Sequence, residues 1–494
     1  MTVSLQQSAA RGVLPTGLGL VARLLIQVLT VVVLARLLDP RDYGLVAMVV
    51  AIVGVGEILR DFGLSSAAIQ AATLSREQRS NLFWLNSGIG AAIGVVVFAL
   101  AEPLAALYDE PALVAITRAL SVTFLLNGMM TQYRADLVRA MRFGAVARTD
   151  VLAPALALAT GVALALAGAG YWALVAQQLT QSVVALVAFG ASARWLPGRY
   201  DRSAPMRGLY RFGRNLLVSQ LVGYLANNVD SLTIGYRFGP APLGIYNRAF
   251  QLLMNPLNQV RAPSVTVALP VLSRAGISPA FDQIVRTGQL VLAYPVTVAL
   301  AVLTGVAVPL VAILLGDPWA QVPPVLRLLA VAGIFQTLSY VGYWVYLARG
   351  LTRDLMQYTL VSAAIRIVCI VVGSTWGVVG VAAGYAIAPM LAWPISLWWL
   401  SRVTPVPVRS LYGGAGRVLA VGALTAAATW LAVDLLHEAG PWWQCVVGAS
   451  AGLAAAAVCA LVVPALRRDA QTLRRAGTLA LRRTGRGTTP ATDG

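Results

Sequence analysis

Lysine is absent from this chain of 494 residues, so its 37 basic residues are all arginine. A Walker A phosphate loop places a lysine on the nucleotide phosphates, and Schiff-base and kinase chemistry also need one. The sequence therefore excludes ATP binding of that type. Cysteine is scarce as well: the chain has only Cys369, Cys445 and Cys459, and no two of them form a C-x-x-C pair. We expect no disulfide, metal or cofactor.

Charged residues are also few in this sequence. Charged residues make up 11% of the chain, 58% of the residues are hydrophobic, and the mean hydropathy is +0.75. Soluble globular chains carry about 25% charged residues. Apolar runs that reach the ~20 residues needed to cross a bilayer recur from residue 16 to residue 463. The sequence therefore predicts an all-α integral membrane protein.

About fourteen transmembrane helices are predicted from the apolar runs and from the polar, glycine or proline breaks between them. Arg11 precedes a run that is too long for a signal-peptide core, so the first helix is expected to be retained. The predicted helices begin near Thr16, Tyr43, Phe83, Pro111, Val146, Tyr171, Phe212, Leu243, Gly288, Pro323, Leu355, Gly377, Gly414 and Pro441.

The arginines are concentrated in alternate loops. Four lie between the fourth and fifth predicted helices, six lie between the sixth and seventh, and an arginine-rich tail follows the last helix. The intervening loops hold acidic or small residues, such as Asp109-Glu110 and Gly168-Ala169-Gly170. The positive-inside rule then predicts that both termini are cytoplasmic. We interpret the basic tail as an anchor on anionic membrane lipid, with no nucleic-acid partner.

A turn motif recurs at an offset of two hundred residues. Pro40 and Gly44 bound the first copy, and Pro240 and Gly244 bound the second. In the predicted helix before each turn, three residues follow one another at intervals of four and three. They are Arg23, Gln27 and Thr30 in the first helix and Gly223, Asn227 and Asp230 in the second. Each repeat holds six helices, an even number, so the two lobes form a parallel internal repeat followed by two C-terminal helices.

The predicted helices and the repeat divide the chain into seven segments. These are a cytoplasmic N-terminal tail (1–15), the first lobe (16–194), a cytoplasmic linker (195–211), the second lobe (212–400), a cytoplasmic loop (401–413), the last two helices (414–463) and a basic cytoplasmic tail (464–494).

Arginines inside the predicted helices are candidates for substrate binding, because an ionisable group in a membrane is costly. Arg366 is the strongest, since apolar residues flank it on both sides. For the others a structural role is an alternative, either snorkelling or, for Arg248, an ion pair with Asp230. Together they predict a cationic cavity suited to phosphate oxygens, formed by Arg366, Arg261, Arg23, Arg60 and Arg248.

Polar residues of the eighth predicted helix lie on one face. Asn247, Gln251, Asn255 and Asn258 follow one another at intervals of four, four and three residues. We interpret this face as a cavity wall, together with Gln27, Asn227, Asn228 and Asp230. Hydrogen bonding between helices, at ~0.6 kcal/mol each, is the alternative. Glu57 and Asp230 are candidates for coupling to an ion, and a pair between Glu57 and Arg60 explains Glu57 equally well.

Three segments carry a family resemblance: ARLLDPRDYGLVAMVVAIVGVGEILRDFGLSSAAIQ from Ala35, AGAGYWALVAQQL from Ala167, and FGRNLLVSQLVGYLANNVDSLTIGYRFGPAPLGIYNRAFQLLMNPL from Phe212. With them the chain resembles the polysaccharide transporter family of the multidrug, oligosaccharidyl-lipid and polysaccharide exporter superfamily. The family pattern includes Asn228, Asp230, Gly235, Pro240, Gly244, Tyr246 and Arg248. The resemblance implies two six-helix lobes and a flippase for a polyprenyl-diphosphate-linked oligosaccharide, with polysaccharide polymerase and glycosyltransferases as expected protein partners.

We therefore predict a non-enzymatic flippase of the cell membrane that works by alternating access. A drug exporter of the same superfamily is one alternative, although arginine outnumbers carboxylates in the predicted helices. A membrane glycan ligase or polymerase is another, but the short outer loops and the lone His437 offer little acid-base chemistry. A scaffold for polysaccharide enzymes is a third.

Overall fold

The computed structural model describes residues 22–61 except 24, 74–203, 223–224, 227–276 and 278–485. These residues form helices and turns, and no strand occurs among them. Ten stretches of the described residues are long and apolar enough to cross a membrane. One of these stretches, Thr352–Val403, contains two helices. The all-α membrane class is therefore confirmed, whereas the count of fourteen helices is not.

The chain divides into two compact units, Met1–Arg248 and Ala249–Gly494. In the first unit the helices are α1 (Leu25–Leu37), α2 (Pro40–Asp61), α3 (Arg76–Ala99), α4 (Ala101–Tyr108), α5 (Ala112–Arg139), α6 (Phe143–Leu166), α7 (Trp172–Ala193) and α8 (227–238).

The next helix, α9 (Pro240–Ala275), begins in the first unit and continues into the second. The remaining helices are α10 (Pro279–Gly305), α11 (Ala307–Leu314), α12 (Val322–Ala348), α13 (Thr352–Gly373), α14 (Gly377–Val403), α15 (Val408–Leu435), α16 (Pro441–Val462) and α17 (Pro464–Gly485). The predicted division into lobes remains a prediction, and α17 occupies part of the predicted tail.

The repeat extends beyond the turn motif to the order of the helices. From α2 to α7 a long helix, a long helix, a short helix and three long helices follow one another, and α9 to α14 have the same order. The short helices, α4 and α11, were not predicted from the sequence. The two halves also share a cap, because Ser75 Oγ accepts a hydrogen bond from the Gln78 amide and Ser278 Oγ accepts one from the Phe281 amide.

The two turns of the repeat pack against each other within the first unit. A Cβ atom on Gly44 would overlap the carbonyl oxygen of Pro240, and a Cβ atom on Gly244 would overlap the carbonyl oxygen of Pro40. Only glycine allows a backbone to approach another backbone this closely. The glycine in each copy of the motif is therefore required by the carbonyl of the other copy.

Each unit has a hydrophobic core that includes aromatic side chains. In the first unit Phe83, Tyr133 and Phe189 pack together, with Trp195 beside them. In the second unit the core contains Phe281, Trp344 and Trp393. Trp344 and Trp393 belong to α12 and α14, two of the helices that carry the polar side chains described next.

Candidate functional site

A cavity of about 390 Å³ lies in the second unit among α9, α12, α13 and α14. Both Arg261 and Arg366 line it, so the structure brings together two of the arginines that the sequence selected. The described lining contains no carboxylate and consists of Asn258, Arg261, Gln336, Ser339, Tyr340, Tyr343, Leu355, Tyr358, Thr359, Ser362, Arg366, Ala388, Pro389 and Ala392. The cavity is therefore cationic and aromatic.

Arg261 is held in place by two side-chain amides. Its Nη2 donates to Asn258 Oδ1 at 2.6 Å, and Nη1 and Nη2 donate to Gln336 Oε1 at 3.3 and 3.2 Å. Only 4% of the residue is exposed, and its Nε is buried with no hydrogen-bond acceptor among the described residues. The amides are neutral, so they orient the guanidinium without balancing its charge, and the described lining of the cavity has no carboxylate to do so. An anion entering the cavity would supply that compensation.

Tyr385 connects the two arginines. Gln336, which accepts from Arg261, donates its Nε2 hydrogen to Tyr385 Oη at 3.3 Å. The Cζ atom of Arg366 lies 5.8 Å from the centre of the Tyr385 ring. Arg261, Gln336, Tyr385 and Arg366 thus form one continuous polar and aromatic layer.

Tyrosine rings form much of the remaining wall. Tyr340, Tyr343 and Tyr358 line the cavity, and the Tyr340 ring centre lies 5.8 Å from Cζ of Arg261. Tyr358 Oη donates to the Ala392 carbonyl at 3.3 Å, which fixes its ring. A tyrosine ring offers an apolar face together with a polar hydroxyl. Such a wall suits a sugar ring, which has both apolar and hydroxyl surfaces.

The sequence reasoning missed these wall residues, although their spacing is informative. Gln336, Ser339, Tyr340 and Tyr343 lie at i, i+3, i+4 and i+7 of α12. Tyr358, Thr359, Ser362 and Arg366 follow a similar pattern in α13. Both are single helical faces. Tyrosine carries no charge and is tolerated in a membrane helix, so this pattern is a weaker signal of a binding site than a buried arginine.

The polar face of α9 reaches this cavity only at its end. Asn258 and Arg261 line the cavity, whereas Asn247, Gln251 and Asn255 are half-buried residues outside its lining. The assignment of the whole face to a cavity wall therefore stays a prediction.

Arg248 and Asp230 lie in the first unit and have different partners. Cζ of Arg248 lies 3.6 Å from the centre of the Tyr43 ring, while Asp230 Oδ2 accepts a hydrogen bond from Tyr246 Oη at 2.5 Å. Both residues are buried, with 7% and 2% exposure. These contacts give each residue a structural role within the repeat-related turn, beside any role in binding.

The other predicted site residues also lie in the first unit. Glu57 Oε1 accepts a hydrogen bond from Asn127 Nδ2 at 2.8 Å, and Asn228 Nδ2 donates to the Tyr224 carbonyl at 2.9 Å. Arg23 and Asn227 are exposed, and Gln27 is half-buried. The side chain of Arg60 lies outside the described residues, so the predicted pair between Glu57 and Arg60 has no structural test.

The helices and their repeat define a multi-pass α-helical membrane protein of the transporter type. Residues 33–324 match the family model described as polysaccharide biosynthesis protein, and the chain belongs to this family. The predicted family relationship is thereby confirmed.

Two relatives are similar over most of their length. The lipopolysaccharide biosynthesis protein WzxC of Escherichia coli (strain K12) is 26% identical over 78% of this chain and 77% of its own length. The teichuronic acid biosynthesis protein TuaB of Bacillus subtilis (strain 168) is also 26% identical, over 70% of this chain and 73% of its own.

Solved structures share the fold at low sequence identity. A lipid II flippase, MurJ, in an inward closed conformation matches 90% of this chain and 98% of its own, with a TM-score of 0.70 and 13% identity. An inward-facing multidrug resistance MATE family transporter matches 79% of this chain and 96% of its own, with a TM-score of 0.61 and 15% identity. The chain therefore shares its fold with these two solved structures.

Proposed function

We propose that this protein is a flippase that carries a lipid-linked oligosaccharide, a precursor of a cell-surface polysaccharide, across the bacterial inner membrane. The cavity that contains Arg261 and Arg366 is the single observation on which the proposal depends most. Its two guanidinium groups suit a diphosphate, and its tyrosine rings suit the adjacent sugar. The names of the family relatives, which concern polysaccharide biosynthesis, support the same substrate class.

The size of the cavity limits what it encloses. A volume of about 390 Å³ lies at the small end of ligand pockets. It accommodates a diphosphate with about one sugar, and the rest of the glycan and the lipid tail extend outside it. The tail then remains among the lipid chains while the headgroup moves.

The sign of the charge argues against export of a cationic drug. Such a substrate needs carboxylates or aromatic rings unaccompanied by cations, whereas this cavity presents two arginines. Transport is the activity that we propose, and no step requires a catalytic acid or base. Alternating access would be driven by an ion gradient, with Glu57 and Asp230 as coupling candidates, or by consumption of the product outside.

The arginine-rich loops support an orientation with both termini in the cytoplasm. In that orientation the substrate is captured from the leaflet in which glycosyltransferases build it. A polysaccharide polymerase would receive it on the other side. These protein partners belong to the proposal.

A vesicle assay tests the proposed function. Purified protein is reconstituted in vesicles that contain a fluorescent polyprenyl-diphosphate oligosaccharide, and the exposure of the sugar to an external quencher is followed in time. We expect wild type and Arg353→Ala to accelerate exposure, because Arg353 lies on the same helix outside the cavity lining. Arg366→Ala and Arg261→Ala should lose the acceleration at unchanged expression. Activity of Arg366→Ala and Arg261→Ala equal to that of Arg353→Ala would contradict the proposal.

A further inference from the structure

The C-terminal helix α17 has two chemically different faces. Leu466, Asp469, Ala470 and Leu473 lie at i, i+3, i+4 and i+7 and are buried or half-buried. The exposed residues of its first three turns include Arg467, Arg468 and Arg474. The helix follows the apolar α16 after a single residue, Val463. It therefore begins where the last membrane helix ends, with its arginines exposed.

Asp469 fixes α17 to the rest of the second unit. Its carboxylate accepts two hydrogen bonds from Arg417 of α15, from Nε at 2.7 Å and from Nη2 at 3.1 Å. Tyr294 of α10 donates a third from its Oη at 2.9 Å. Two other helices thus hold the inner face of α17 in place, so the face that carries the arginines stays on the exposed side.

An apolar cavity of about 440 Å³ lies beneath this helix. Among the described residues that line it, Tyr294 is the one with a polar side-chain atom. These residues are Tyr294, Pro295, Val298, Ala299, Val421, Leu453, Ala456, Ala460, Leu466, Ala470 and Leu473. Leu453, Ala456 and Ala460 lie at i, i+3 and i+7 of α16, so the cavity follows about 10 Å of that helix. We call it the C-terminal slot.

The residues that line the C-terminal slot indicate which class of molecule it can bind. Water needs two to four polar partners to be stable in a cavity, and this lining has almost none to offer. A hydrocarbon chain needs no such partners and would fill the space between the small alanine side chains. Arginines next to a membrane helix attract anionic lipid headgroups, and a guanidinium binds a phosphate through two parallel hydrogen bonds. The slot and the arginines together match the two parts of a phospholipid.

We propose that the C-terminal slot binds one acyl chain of an anionic phospholipid whose headgroup is held by Arg467, Arg468 and Arg474. The described lining of this site shares no residue with that of the arginine cavity, and the site does not depend on the proposed transport function. A length of about 10 Å suits part of one acyl chain and is much shorter than a polyprenyl chain. The bound lipid would tie α10, α15, α16 and α17 together as one body.

Lipid retention by the full-length protein tests this site. The protein is purified, delipidated with detergent, incubated with equal amounts of phosphatidylglycerol and phosphatidylcholine, and examined by native mass spectrometry. We expect one phosphatidylglycerol to be retained per chain, with a preference of about tenfold over phosphatidylcholine, as one charge-assisted contact provides. Arg467→Gln/Arg468→Gln/Arg474→Gln should remove the preference. The control Arg194→Gln/Arg199→Gln/Arg202→Gln, in the exposed loop after α7, should keep it.

The slot itself is tested by filling it. Ala456→Trp places a large ring in the slot and should abolish retention, whereas Ala457→Trp, on the exposed face of the same helix, should have no effect. Ala460→Leu is the smaller substitution to use if Ala456→Trp does not fold. Equal retention by a folded slot variant and the Ala457→Trp control would overturn the proposal. Equal binding of the two phospholipids, or displacement of phosphatidylglycerol by an equal amount of polyprenyl phosphate, would also overturn it.

Discussion

The guanidinium of Arg248 lies against the face of Tyr43, with 3.6 Å between Cζ and the ring centre. Tyr43 belongs to the first copy of the repeated turn, and Arg248 follows the second copy within α9. Because Arg248 is 93% removed from solvent, the ring replaces part of the hydration that a buried cation loses. The contact explains how a charged residue is tolerated at this position.

Tyr43→Leu should therefore destabilise the protein, by about 2 kcal/mol, since it removes a desolvated cation–π contact. Tyr43→Phe retains the ring face and should cost less than about 1 kcal/mol. Thermal unfolding of the purified protein in detergent, followed by tryptophan fluorescence, measures both changes. Equal stability of the Leu and Phe variants would mean that the ring contributes nothing to holding Arg248.

Arg366→Lys tests whether the cavity needs a guanidinium or only a positive charge. Lysine keeps the charge but cannot form two parallel hydrogen bonds with a phosphate. The loss of one charge-assisted hydrogen bond, about 1.5 to 3 kcal/mol, corresponds to roughly ten- to a hundredfold weaker substrate binding. We expect a raised half-saturating substrate concentration in the vesicle assay. Activity equal to that of wild type would indicate that charge alone is sufficient.

Glu57→Gln tests the coupling role predicted for this carboxylate. The amide is almost isosteric and can still accept the hydrogen bond from Asn127, so the packing of α2 against α5 should persist. We expect transport to lose its response to an imposed proton gradient while thermal stability stays within about 0.5 kcal/mol of wild type. Asn127→Asp serves as a second variant at the same contact. A variant that is unstable yet still responds to the gradient would assign Glu57 a structural role.

Asp469→Asn tests the attachment of α17. The substitution removes the charge that Arg417 binds, and the side chain of Asp469 is 9% exposed whereas that of Arg417 is 37% exposed. We therefore expect a cost of roughly 1 to 2 kcal/mol, between the values for exposed and buried pairs. Hydrogen exchange should accelerate in residues 464–474 and remain unchanged in α12. Arg417→Gln should have the same effect, and the double variant should be little worse than either single one.

Much of the helical architecture could be predicted from the sequence, because lipid requires long apolar helices and turns that polar residues, glycine and proline make visible. The predicted starts near Pro111, Tyr171, Gly377 and Pro441 lie within one residue of the beginnings of α5, α7, α14 and α16. The short helices α4 and α11 were missed because eight residues cannot span a bilayer and give no separate hydropathy signal.

The candidate site was less predictable, for a physical reason. Arg261 and Arg366 could be selected because a charge in a membrane helix is expensive. The sequence could not reveal that Gln336 joins Arg261 to Tyr385, since this depends on how three helices are rotated toward one another. Tyr340 and Tyr343 were missed because tyrosine is common at membrane interfaces and its presence alone does not indicate a cavity.

Gly44→Ala tests the contact between the two repeated turns. The added methyl group would occupy the position of the Pro240 carbonyl, so the backbones must separate, at a cost of about 1 to 3 kcal/mol or more. Gly88→Ala is the matched control, because it lies in the middle of α3 with open space around its Cβ position. This control should gain up to about 1 kcal/mol from helix propensity. Thermal unfolding of both variants provides the comparison, and similar values would refute the contact.

The reciprocal packing of Gly44 on Pro240 and of Gly244 on Pro40 has the form of an isologous interface, in which each partner contributes the same patch to the other. A polypeptide of half this length with one such turn could make the same contact with a second copy of itself. Joining two copies in one chain frees the residues between the proline and the glycine to differ. The two turns have done so, with Arg-Asp-Tyr at 41–43 and Ala-Pro-Leu at 241–243, while the proline and glycine that form the contact are the same in both.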